Sequence, residues 1–86
     1  MPAKRDVKSD LITKGNDLVK RADEAVAKLP ADKRHEAALI KAEETQIKHL
    51  VKELEAATTP LRVTALEHEL ARAEVRLQHT LDRIHT

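Results

Sequence analysis

The run TPLRVTALEHELARAEVRLQHTLDRI, Thr59 to Ile84, decides the fold. Val63, Leu66, Leu70, Ala73, Leu77, Thr80 or Leu81, and Ile84 recur at alternating steps of three and four. That spacing lines one face of an α-helix. Thr59 is placed to cap the first free amides through its hydroxyl, and Pro60 falls at the first helical position, where a missing N–H costs nothing. The expectation is a helix over 60–85 with one apolar stripe to bury.

Working back from it, Thr58 and Thr59 before Pro60 read as a tight turn, and tight turns set successive helices antiparallel. The preceding helix is expected over about 31–57, with Asp32 and Glu36 suited to the positive end of its dipole. Its inner positions are Ala37, Ile40, Ile47, Val51 and Leu54, with Leu39, Leu50 and Ala57 on a flank. A stripe this wide suits the middle helix of three, which touches two neighbours. Pro30 ends a first helix over about 10–29, because its ring disfavours a helical Leu29 and removes a donor. That helix carries Leu11, Ile12, Gly15, Leu18, Val19, Ala22, Ala25, Val26 and Leu29, with Ser9 or Asp10 as N-cap. Gly15 costs about 1 kcal/mol of helix propensity relative to Ala, and with Ala22 and Ala25 it lets a neighbouring helix come close.

The fold class is therefore all-α: an antiparallel three-helix bundle built on a long helical hairpin. Residues 1–8, with Lys4, Arg5 and Lys8, read as a flexible basic arm, and 9–86 as a single helical domain. At ~1.5 Å per residue the first helix spans roughly 30 Å and the other two roughly 40 Å. The first would cover only part of the hairpin and leave an apolar strip near one end, which is the reason to expect a homodimer. If the turn sets the register, facing positions of the hairpin sum to roughly 117.

Composition narrows the function classes. An 86-residue chain buries a small share of its surface, and with no Phe, Tyr or Trp the core is Leu, Ile, Val and Ala, poor material for a deep small-molecule pocket. Without cysteine there is no disulfide, thiolate metal site or thiol catalysis, which fits a reducing compartment. The charged N-terminus has no signal-peptide core, and no apolar run approaches the ~20 residues that span a bilayer, so a cytoplasmic protein off the membrane is the expectation. Sixteen basic against fifteen acidic side chains produce no global field towards nucleic acid.

Chemistry-bearing residues are few. Ser9 is the only serine, Gly15 the only glycine, and no nucleophile sits beside a base, so no catalytic residue, cofactor site or enzyme activity is expected. His49, His68 and His79 lie nearly opposite their helices' apolar stripes and should face water. Asp32 with His35 and Asp82 with His85, joined by His79, are weak metal candidates, because carboxylate and imidazole three apart on facing helices occur in bundle metal sites. Glu43 and Glu44 depart from the pattern, falling where Ile40 and Ile47 call for an apolar residue. The register brings Glu74 and Arg76 opposite, and Glu43 with Arg76 reads as a partly buried ion pair.

The expected function is a non-enzymatic protein–protein interaction module, a homodimer acting through amphipathic helix faces. Its interaction residues would be Glu43, Glu44, Glu74, Arg76, Leu39 and Leu50. The alternatives are a nucleic-acid accessory protein using the basic arm with Arg62, Arg72, Arg76 and Arg83, and a metal-binding bundle. Interleaved Glu67, Glu69, Glu74 and Asp82 count against nucleic acid.

Overall fold

The computed structural model describes residues 7–85 and places them in three helices: α1 (Val7–Lys28), α2 (Arg34–Ala56) and α3 (Pro60–His85). Thr59 caps α3 as expected. Its Oγ1 accepts the Arg62 amide at 3.2 Å, and its carbonyl accepts the Val63 amide at 3.1 Å.

Two other boundaries move, each for a tertiary or turn reason. α1 starts at Val7, so Val7 and Lys8 belong to its first turn rather than to an arm, and Ser9 and Asp10 lie inside the helix. Lys8 is held there because its Nζ donates to the carbonyls of Glu55 at 3.1 Å and Ala57 at 2.9 Å, satisfying acceptors at the open end of α2. Residues 1–6 of the expected arm lie outside the described residues. α2 starts at Arg34 rather than 31, since the Lys33 amide bonds the Pro30 carbonyl at 3.0 Å and closes a turn over Pro30–Lys33.

The cross-helix pairs fix the directions. Lys8 reaches Glu55, so α1 runs antiparallel to α2. Arg62 pairs with Glu53 at 2.9 Å and Arg76 with Glu43 at 3.4 Å, so α2 runs antiparallel to α3. The register set by the Thr58–Thr59 turn puts residue 53 opposite 64 and residue 43 opposite 74. The observed partners are each within two residues of those positions. α1 runs alongside α3 in the same direction, bridged by Lys14 with Glu74 at 2.9 Å and by Arg21 with Gln78 at 2.6 Å.

All three stripes meet in one core. Leu18, Ala22, Ile40, Ile47, Leu50, Leu54, Leu66, Leu70, Ala73 and Leu77 are buried, and Leu81 rather than Thr80 continues the α3 stripe. Leu50, placed on a flank by the sequence, is a core residue at 1% exposure. The closest pair of helices is α1 with α2, not the α2–α3 hairpin, and α1 with α3 makes the least extensive contact. Gly15 explains this: a Cβ built there would overlap Val51 Cγ2 and lie 3.9 Å from Leu70 Cδ1. The result is a rod with extents of 51 × 24 × 17 Å.

Candidate interaction surface

The midpoint of the bundle carries the polar residues that broke the apolar pattern. Glu44 is buried at 6% exposure, and its Oε2 lies 3.1 Å from the Nζ of Lys48, one turn along the same helix. The Lys48 ammonium is pushed above its ordinary value by its hydrogen bond to Glu44 and by that carboxylate's charge, with Asp23 of α1 adding to them against burial. Glu43, one residue earlier, is half-buried on the α3 side against Arg76.

Glu74 joins neither. It pairs with Lys14, so Glu43, Glu44 and Glu74 are each matched to a different cation rather than gathered at one point. Two arginines of α3, Arg62 and Arg76, are engaged with glutamates of α2 along the hairpin seam. This weakens α3 as a phosphate-binding stripe. Pairs as exposed as these contribute roughly 0–1 kcal/mol each and act mainly on register.

Among the described residues the metal candidates do not assemble. Asp32 lies in the Pro30–Lys33 turn rather than on α2, because that turn delays the helix to Arg34. Asp32, His35, His79 and Asp82 are exposed, and the Asp82 carboxylate accepts from Gln78 Nε2 at 2.9 Å. The side chain of His85 is outside the described residues. Among the described residues no group of three or more His, Asp or Glu side chains is positioned to hold a metal ion. His49 and His68 are also exposed, as the helical wheel indicated.

Grooves occur at several places on the rod, and two of them adjoin at the end near the α1–α2 turn. A groove of ≈ 380 Å³ runs between α1 and α3, with Ala25, Leu29, Ile40, Leu81 and Ile84 in its walls and Arg21, Glu24 and Lys28 at its lip. On the other side of Ile84 a second groove of ≈ 370 Å³ runs between α2 and α3, with Leu39 and Thr80 in its walls and Lys33, His35, Glu36 and Arg83 around them. Leu39 is 45% exposed here, whereas Leu50, its companion among the expected interaction residues, has no surface to offer.

Comparison with protein-family models, with curated proteins and with solved structures returned no match to this chain. The site therefore stands on its own geometry. No helix among the described residues is long and apolar enough to cross a membrane.

Lys28, Leu29, Lys33 and Ile84 were not among the interaction residues expected from the sequence. The available signal was the Pro30 break, which ends α1 while α3 continues. Leu29 and Ile84 were both legible as stripe residues, but only as core.

Proposed function

We propose that this chain is a non-enzymatic protein–protein interaction module whose docking surface is the bundle end at the α1–α2 turn. The observation that carries the reading is the pair of adjoining grooves either side of Ile84, where Ala25, Leu29, Leu39 and Ile84 meet solvent beside polar side chains. Concave apolar surface with a polar rim is what a partner's anchoring side chains need. A reducing, cytoplasmic setting belongs to the same proposal and is supported by a chain without cysteine.

The test is affinity purification from the native cell with the intact chain and with Leu39→Glu. Leu39 is partly exposed, so the substitution is tolerated by the fold. A partner captured by the parent and lost with the variant supports the proposal. Partners retained equally by both overturn this placement of the surface.

A second reading, the homodimer, has its own support. Leu61 is 82% exposed and Val75 54% exposed, and fourteen residues apart on α3 they share the helix's outer side. A second copy packed along that side would cover both. Light scattering at high concentration checks it: a monomer mass throughout removes the dimer and leaves the end surface standing.

A further inference from the structure

We infer that a second copy of this chain packs antiparallel along the outer face of α3, with the two-fold axis passing at His68. This rests on the homodimer reading and adds to it the register and the residues that meet.

The α3 stripe opposite the core is Leu61, Thr64, Ala65, His68, Ala71, Arg72 and Val75, and every one of these residues is exposed. At ~100° per residue they lie within about 60° of the His68 direction. The stripe is self-complementary about His68. Leu61 and Val75, the two large apolar side chains that α3 leaves in solvent, stand seven residues before and after it. In an antiparallel pair each flank of one helix meets the same flank of the other. Leu61 then meets the partner's Val75, Thr64 meets the partner's Ala71, and Ala65 lies under the stem of the partner's Arg72. Each contact occurs twice, as a two-fold interface requires. The seven-residue steps from Leu61 through His68 to Val75 drift by about 20° each, which matches the ~20° crossing of helices packed side by side.

Charge selects a second copy over an acidic or a basic partner. Among the described residues, Glu69 and Arg72 make no ion pair within their own chain. They share one flank of the stripe, so a partner of either single sign would attract one and repel the other. Helical side chains lean towards the N-terminus, and in the antiparallel pair Arg72 and the partner's Glu69 lean towards each other. Their axial offset is five residues, about 7.5 Å at ~1.5 Å per residue, within the combined reach of the two side chains. The remaining charges of α3 are accounted for. Arg62, Glu74 and Arg76 are engaged with Glu53, Lys14 and Glu43 of their own chain. Glu67 points about 100° away from the stripe centre on the opposite flank. His79 and Asp82 lie past the overlap of the two helices, which runs from residue 60 to about 76. One helix face is at the small end of specific interfaces, so a dissociation constant on the order of 100 µM is expected.

The test uses the full chain, which has no cysteine of its own, so that one introduced thiol reports one contact. Helices packed ~8–10 Å apart, with Cα atoms on a ~2.3 Å radius, bring two facing Cα atoms to roughly 3.5–5.5 Å, which overlaps the span of a disulfide. At roughly 200 µM, His68→Cys should therefore oxidise to a disulfide-linked dimer about tenfold faster than His49→Cys, a control exposed on α2. Both substitutions are at exposed positions, and circular dichroism melts verify that both variants fold. Light scattering of the parent at the same concentration should give a mass above that of the monomer, and Val75→Glu should return it to the monomer. Arg72→Glu should weaken association by about tenfold, and adding Glu69→Arg to it should restore most of the loss. A dimer that crosslinks no faster through His68→Cys than through His49→Cys, or that survives Val75→Glu, overturns this register while leaving the homodimer in place. Failure of the charge swap to restore association removes the pairing of Arg72 with the partner's Glu69 and overturns the register as well. A monomer mass in the parent overturns both the register and the homodimer.

Discussion

Gly15 of α1 faces Val51 of α2 so closely that the smallest side chain placed at 15 would overlap Val51 Cγ2. Gly15→Ala should gain about 1 kcal/mol of helix propensity and lose about 1–3 kcal/mol to overpacking, because a β-branched neighbour has few rotamers to yield into. The net expectation is a loss. In a Val51→Ala background the clash disappears, so the same substitution should turn neutral or stabilising. Urea unfolding of the double-mutant cycle reads the coupling directly, and additive effects would contradict the contact.

Leu39 and Leu50 differ in burial and so should differ in cost. Leu50→Ala removes a side chain that is 1% exposed and should destabilise by about 2–5 kcal/mol. Leu39→Ala, at 45% exposure, should stay within about 1 kcal/mol of the parent. Similar costs for the two, measured by chemical unfolding, would mean that the α2 flank is packed differently along its length.

The buried Glu44 carboxylate and its Lys48 partner predict an alkaline signature. Lys48 has a raised pKa in the folded chain, so its contribution to stability is complete below its ordinary 10.5 and is lost as pH rises through the raised value. Lys48→Met should remove that part of the decline, and the stability difference between parent and variant should shrink above pH 10.5. Glu44→Leu, which replaces a buried charge by an apolar side chain, should be neutral or stabilising. Parallel stability profiles of parent and Lys48→Met across this range would show the pair to be uncoupled from folding.

Thr59→Ala should cost about 1 kcal/mol, since the Arg62 amide loses the hydroxyl that accepts it at 3.2 Å. Circular dichroism melts of Thr59→Ala and Thr59→Ser distinguish capping from packing: serine should restore most of the loss.

Zinc or nickel in modest excess should leave the melting temperature unchanged, because the exposed Asp32, His35, His79 and Asp82 are not gathered. A stoichiometric rise would require ligands that come together only on binding.

The hairpin and its register were legible because Thr59 and Pro60 fix where α3 starts and the stripe fixes how it faces. The same reasoning placed Glu43 against Arg76. It failed where the third dimension decides. Leu39 and Leu50 are eleven residues apart, about 20° apart on a helical wheel at ~100° per residue, so periodicity gives them one environment. Leu50 lies deep within the hairpin and Leu39 lies where the helices part, and position along the axis is invisible to a wheel. Lys8 is a similar case: its two acceptors, at Glu55 and Ala57, are distant in sequence, so a residue that closes α2 looked like part of an arm.

The rod has two unlike ends, and this sets the reach of anything attached to it. Val7 enters beside Thr59 and Pro60 at one end, while the grooves around Ile84 lie at the other, along a long dimension of 51 Å. A label fused ahead of α1 would sit most of that length from a segment held in the grooves. Energy transfer between such a label and a tagged peptide would be weak in a one-to-one complex. It would become strong only if two chains lay side by side in opposite directions, so a single distance distinguishes a captured segment from a reciprocal pair.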